Sequence, residues 1–434
     1  MIVNAIIYGN IFATCLEAFV NIRQLLKLIS LKPSSKTKKI ISTEEEFHKM
    51  RKYNTEKLLF SLLKLSATLF ECIFLVKNNI LLESYAILSS KLGVNNNLLQ
   101  IIYLMLFIFH TMLLNLPFDL ISTFYIESKY GFNKTTLPLF FTDILKQTVL
   151  TFIIVPPLLS LVLYLIDIFP NNFYIYVYIL VVSVQLILML IFPSIIHPLF
   201  NKFENLEEGN LKNSIINLAK EVGFKPSKIL KMDGSKRSHH SNAYFIGIFK
   251  EKRIVLFDTL INQCENNQIL AILCHEFGHW HYSHIWKKII HCFINLFIYC
   301  YLFNKFTKNG TLFSNLLAKF NSKSFYLISS HTDFTPIQKF PMILKLLYFA
   351  FALTFINPLE NLIDNFISRV FERQADKFAV KKGYAEELKT GLINIHVKNY
   401  SNIVPDKLYS IYHHSHPTLF ERLELIDNEV AKIK

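Results

Sequence analysis

His275-Glu276-Phe277-Gly278-His279 lies within LAILCHEFGHWHYSHIW, residues 270–286. On an α-helix, residues four apart share a face. His275 and His279 can therefore each offer an imidazole nitrogen to one Zn²⁺, with Glu276 alongside as candidate general base. The flanks predict a helix, since no Pro or Gly interrupts residues 268–277 and Asn266-Asn267 can cap its start. Two imidazoles leave a third protein ligand to be found. Glu372, within FERQADKFA (371–379), follows an apolar segment on another helical stretch and can bind the metal. Asp376, one turn on, can accept the outer N–H of a ligand imidazole and fix its tautomer. Without the His pair, Glu372 and Asp376 read as an ordinary solvated helix face; with it, they complete a metal site.

HEFGHW followed downstream by ERQAD is similar to the zinc metalloendopeptidases that include the type I CAAX prenyl proteases. Residues 233–247 (DGSKRSHHSNAYFIG), 253–260 (RIVLFDTL), 414–423 (HSHPTLFERL) and 117–134, which contain IESKYGFNK, resemble the CAAX protease rather than its shorter bacterial heat-shock relatives. The resemblance implies an α-helical integral membrane protein, with about seven transmembrane helices enclosing a water-filled chamber. A cytosol-facing α+β zinc metalloprotease domain would be built from the loop between helices five and six and from the C-terminal region. It further implies one Zn²⁺ per chain, prenylated CAAX-protein C-termini as substrates and the endoplasmic reticulum membrane as location. The reaction would remove the last three residues after an isoprenylated cysteine. His416, in HSHP, matches a His that assists the oxyanion in similar proteases, and Arg422 matches an Arg that orients Asp376 or the site's carboxylates.

The motif itself implies peptide-bond hydrolysis, with Glu276 accepting the proton of the attacking water and passing it to the leaving amine. Asn242-Ala243-Tyr244 reads as part of a strand just ahead of the metal helix. A free edge there can hydrogen-bond an extended peptide; the other reading is hairpin packing with Asn242 at a turn. Arg237 and His240 read as solvated loop charges. His284, nine residues from His275, falls about half a turn round a continuous helix and reads as structural or chamber-lining, not as a ligand.

In a 434-residue chain, 52% hydrophobic content with 40 Phe and 20 Tyr predicts membrane integration rather than two or three soluble domains. The net charge of +14 then belongs to cytoplasmic loops and headgroup height, not to nucleic-acid binding, because no basic stretch interleaved with stacking aromatics occurs. The six cysteines are scattered without a C-x-x-C, which argues against a disulfide framework or a Cys-rich zinc site. Apolar runs at 1–22, 58–82, 98–121, 149–168, 173–192, 285–303 and 342–363 each approach the roughly 20 residues a bilayer crossing needs. Glu17 should face protein or a cavity, with Arg23 as candidate partner.

The elements that must position the site follow from this. Residues 201–265 read as a soluble insert with a helix at 211–222 and strands at 229–232, 243–249 and 253–257. The HEFGH helix is expected to run on into the sixth apolar run. The chain divides into 1–200 (five membrane helices), 201–285 (insert and zinc helix), 286–365 (two membrane helices with a luminal loop) and 366–434 (the portion with the third ligand). Seven crossings put residues 23–57, with ten Lys/Arg against four Glu, on the same side as the insert and the C-terminal region. That side is predicted cytoplasmic, and with it the zinc site. Residues 304–341, predicted luminal, hold five Lys against one Asp and fit that rule poorly. Two rival functions are a broader membrane quality-control metalloprotease and, from a different class, a catalytically inactive membrane scaffold. No residue pattern specifies the oligomeric state.

Overall fold

The computed structural model describes residues 2–41, 43–247, 252–308 and 340–433. Most of the loop at 304–341 and the end of the strand expected at 243–249 lie outside these described residues. Among the described residues, six helices are long and apolar enough to cross a bilayer: Val3–Ser30, Glu44–Lys77, Asn96–Glu127, Leu137–Ile168, Phe173–Leu199 and His284–Thr307. Met342–Leu353 and Asn357–Lys381 pass the same test only together, bent by 64° at a short break, and count as a seventh crossing where the pair is taken as one span. The helices extend past the apolar runs because capped polar turns prolong them, as where Thr43 accepts from the Glu46 N–H. The run at 58–82 instead stops at Lys77, where Asn79 turns left-handed (φ 56°) and a separate helix, Ile80–Leu92, begins.

The break between Leu353 and Asn357 frees backbone groups that lipid, unlike water, could not satisfy. Asn10 supplies the partner: its Nδ2 donates to Phe351 O at 2.9 Å, while the Thr354 hydroxyl donates to Asn10 Oδ1 at 2.6 Å. Ionisable groups inside the spans pair across neighbouring helices, Lys64 with Asp119 at 3.6 Å, Glu71 with His110 at 3.3 Å and His291 with Asp364 at 2.9 Å. Arg23 does not pair with Glu17. It donates to Asp406 at 3.1 Å and so ties the end of the first helix to the C-terminal region.

Between the fifth and sixth spans the chain builds a four-stranded sheet: β1 (Phe203–Asn205), β2 (Lys228–Met232), β3 (Ala243–Ile246) and β4 (Arg253–Phe257). The order is β1-β2-β4-β3, with β2 and β4 parallel and the outer pairs antiparallel. β1, three residues long, is too short to show an alternating pattern in sequence. Among the described residues, β3 lies at an edge and pairs with no strand but β4. The Asn210–Glu221 helix lies in the connection between the antiparallel neighbours β1 and β2.

The HEFGH helix, Asn266–His281, packs on this sheet and on the Asn357–Lys381 helix around a shared core that includes Ile254, Leu273, Phe277 and Ala379. Burying each large apolar chain contributes roughly 1.5–3 kcal/mol. Gly278 sets how closely the two helices approach: a Cβ there would come within 2.9 Å of the Ala375 Cα, so a side chain would push Glu372 away from the histidines. The helix starts after Glu265, whose N–H donates to Gln268 Oε1 at 3.2 Å, rather than being capped by Asn266-Asn267. Nor does it run on into the sixth span. It ends at His281, Ser283 adopts φ 55°, and a new helix starts at His284.

Candidate metal centre

Two helices far apart in the chain bring the expected ligands together. His275, His279 and Glu372 each offer one ligand atom, and these atoms all lie within 4.8 Å of one another. Both imidazoles turn Nε2 inward: His275 Nε2 is 3.3 Å from Glu372 Oε2 and His279 Nε2 is 3.2 Å from Glu372 Oε1. Glu372 is 6% exposed, yet its Oε2 makes no hydrogen bond. A buried carboxylate oxygen without a donor is costly, and a divalent cation between the three groups removes that cost. The residues therefore fit a tetrahedral metal, with imidazole and carboxylate donors of the kind zinc takes.

Each imidazole is held from behind. Asp376, fully buried, lies 2.8 Å from His275 Nδ1 through Oδ1. Arg422 clamps that carboxylate from its far side, Nε to Oδ2 at 2.9 Å and Nη2 to Oδ1 at 2.6 Å. Burial opposes charge on His275, whereas the Asp376 and Glu372 carboxylates favour it and raise its pKa above the ordinary histidine value. Around Glu276, burial raises the carboxyl pKa above its ordinary value, with His275 and His279 pulling the other way.

Behind His279 stands a residue whose part the sequence concealed. His284 Nδ1 is 2.9 Å from His279 Nδ1, and His284 Nε2 is 2.8 Å from Gln374 Oε1. The His284 ring stacks on Phe371 at 4.1 Å with 6° between planes. The break at Ser283 swings His284 back toward His279, so the half-turn argument from a continuous helix does not hold. Gln374, two residues from Glu372, carried no signal of its own.

His416 reaches the same carboxylate, with Nε2 3.3 Å from Glu372 Oε1, while Nδ1 contacts the Ser415 hydroxyl at 2.9 Å. Loss of bulk water, joined by the nearby Arg422, lowers its pKa below the ordinary histidine value, against the pull of Glu372. Arg369, one turn before Glu372, fixes the loop carrying His416. Its Nη1 donates to His416 O at 3.1 Å and to the Ser410 hydroxyl at 3.1 Å, and its Nη2 donates to Glu421 at 2.7 Å. Sequence inspection had singled out neither Arg369 nor Glu421.

Asn242 is exposed beside the free edge of β3, while Ala243 is buried and the Tyr244 hydroxyl turns to His197 at 3.3 Å. Ala243 and Tyr244 are thus committed to packing, and among the described residues no strand pairs with the outer edge of β3. Arg237 is not a solvated loop charge: it holds Asp143 through two nitrogens at 2.9 and 3.0 Å and also donates to Phe200 O. His240 stacks on Phe132 at 4.4 Å and contacts Asn399.

Comparison with known proteins agrees with this architecture. Residues 24–202 match the family described as CAAX prenyl protease N-terminal, five membrane helices, and residues 205–430 match peptidase family M48. The chain is 38% identical to CAAX prenyl protease 1 of Saccharomyces cerevisiae, over 96% of this chain and 93% of that one. It is 36% identical to the CAAX prenyl protease 1 homolog of Arabidopsis thaliana, over 96% and 95%. A crystal structure of S. mikatae Ste24p superposes with a TM-score of 0.89 at 37% identity, covering 98% of this chain and 99% of that one. The break after His281, the bent seventh crossing and the paired histidines thus sit in a frame that reaches from one end of the chain to the other, and the chain belongs to the CAAX prenyl protease branch of peptidase family M48, a family of metalloproteases.

Proposed function

We propose that this membrane metalloprotease removes the C-terminal tripeptide from isoprenylated CAAX proteins, with His275, His279 and Glu372 holding one Zn²⁺. The observation that carries the reading is the buried, donor-less Glu372 oxygen facing two inward Nε2 atoms beside an open strand edge. When bound, the metal acidifies a water molecule and polarises the scissile carbonyl. Everything else falls to the protein. The β3 edge at Asn242–Tyr244 pairs with the extended tail. Glu276, its pKa raised by burial, takes the proton from water and returns it to the departing amine. His416, whose Nε2 lies 3.3 Å from Glu372 Oε1, can donate an N–H to the developing oxyanion. Asp376, held by Arg422, keeps the Nδ1 proton of His275 in place so that Nε2 is free to ligate.

Orientation and compartment belong to the same proposal. The metal helix and the C-terminal helices share the side of the basic 23–57 connection, which faces the cytosol, and the bilayer is that of the endoplasmic reticulum. The division at 200, 285 and 365 then separates membrane helices from the two halves of the peptidase part.

The direct test is cleavage of a farnesylated CAAX peptide by purified protein, with and without a zinc chelator. Turnover should vanish with the chelator and return with stoichiometric Zn²⁺. Equal cleavage of lipidated and unlipidated peptides would favour the quality-control reading, and metal-bound protein that cuts neither would favour the scaffold. A second expectation concerns the outer partner of His279. His284→Ala should weaken Zn²⁺ binding about 10–100-fold in competition with a chromophoric chelator. Unchanged affinity would mean that His284 does not orient the ligand.

A further inference from the structure

Two cavities of opposite character flank the metal cluster. On the His279 side, a space of about 340 Å³ is walled by Phe224, Phe245, Ile246, Trp280, Ile285 and Trp286, with His279 itself in the wall. Its aromatic rings pack together, Phe224 lying 5.0 Å from Phe245 and 5.1 Å from Trp280. The lysine in this wall, Lys252, lays its ammonium against ring faces, 5.0 Å from Trp280 and 5.7 Å from Phe224. On the other side, a space of about 560 Å³ is bounded by His416, Arg422, Lys57, His240 and Asn399.

The chemistry of the substrate distinguishes them. In a tail cut directly after an S-isoprenyl cysteine, three bonds of roughly 1.5 Å separate the attacked carbonyl carbon from the sulfur. The lipid must therefore begin within about 5 Å of the reacting atom. On the other side of the bond is a short peptide ending in a carboxylate. A third cavity, apolar and about 320 Å³, includes Phe303 in its wall. The nearest residue of that wall on the same helix, Leu296, is 12 residues from His284, about 18 Å at 1.5 Å per residue, too far for a lipid that begins within about 5 Å of the reacting atom. The pocket beside His279 is both apolar and adjacent to a metal ligand. It also lies where the sixth span begins, with Ile285 and Trp286 exposing 40% and 39% of their surface at the depth where Trp marks a membrane boundary.

The edge strand gives the same polarity. β3 follows His240 of the polar cavity and ends in Phe245 and Ile246 of the aromatic one. A peptide laid antiparallel on that edge runs from the aromatic pocket to the polar cavity. From this juxtaposition, and resting on the prenylated-substrate reading above, we propose that the Phe224–Phe245–Trp280–Trp286 pocket receives the isoprenoid of the substrate cysteine, and that the released tripeptide occupies the His416 cavity. An isoprenoid carried by a bilayer-anchored tail enters this pocket at the membrane boundary, without first passing through bulk water.

The test uses the full-length, zinc-loaded protein. A CAAX peptide bearing a diazirine-labelled farnesyl analogue should, on photolysis, label residues 280–286 and Phe245–Ile246. In parallel, Ile285→Asn/Trp286→Ser should lower the ratio of kcat/KM for farnesylated over unlipidated peptide of the same sequence by about tenfold. Trp286→Ser alone serves if the double variant fails to hold metal. Labels confined to the His416 cavity or to the Phe303 cavity, or an unchanged ratio in a metal-loaded variant, overturn the pocket assignment. If the wild-type protein does not cut the farnesylated peptide at all, the prenyl-protease reading falls with it. Cleavage accompanied by labelling elsewhere overturns the pocket alone.

Discussion

Glu276→Gln is expected to slow cleavage of a farnesylated CAAX peptide by roughly 10²–10⁴-fold while the protein keeps one bound Zn²⁺. Gln preserves the size of the side chain but has no basic oxygen to take a proton from water. Glu276 is not among the three groups whose ligand atoms converge, so the metal has no reason to leave. Burial raises the Glu276 pKa, which brings it nearer the range where a carboxylate both accepts and returns a proton efficiently. The two measurements must be made together. Lost turnover with lost metal would signify a structural lesion, whereas lost turnover with full metal isolates the proton transfer. A variant retaining a third of wild-type kcat would remove Glu276 from the role of base.

Arg422→Ala should destabilise the folded protein by about 3–5 kcal/mol, the range for breaking a buried ion pair from one side. Arg422 is 6% exposed, and the carboxylate that it clamps, Asp376, is wholly buried. Without the guanidinium, the buried Asp376 carboxylate loses the donors at 2.9 and 2.6 Å and keeps only His275 Nδ1 at 2.8 Å. Inactivation half-life in detergent at fixed temperature is the suitable readout, because a multi-span protein seldom refolds reversibly. Arg422→Lys restores a charge but not the two-pronged geometry, and should fall between wild type and Ala. Arg422→Ala/Asp376→Ala should be more stable than Arg422→Ala alone, since no orphaned charge remains. Its metal affinity should still be poor, because His275 Nδ1 has then lost its acceptor. A half-life for Arg422→Ala equal to wild type would show that the clamp contributes nothing to the fold.

The pair His275/His279 was legible because four residues on a helix is a local relation, settled by backbone geometry before any tertiary contact forms. The apolar runs were legible for a similar reason: a bilayer demands length and hydrophobicity, and both are sums over neighbouring residues. Capping and breaking were less so. The end of the HEFGH helix depends on Ser283 adopting a left-handed backbone, which a serine seldom does and which no residue type announces. The same uncertainty hid the bend in the seventh crossing, whose freed carbonyl is answered by Asn10 from 341 residues away.

By itself, then, the sequence determined which residue types could hold a metal, which segments belong in a membrane and which face of one helix carries the histidines. The tertiary structure alone decided that Glu372 meets them, that Asp376 backs His275 across 101 residues, that His284 rather than a carboxylate backs His279, and that Arg369 anchors the His416 loop. The reason is physical. Periodicity and hydropathy act over a turn or a span, whereas these contacts exist only once Gly278 lets two distant helices close to van der Waals distance and their burial pins each polar group to a partner.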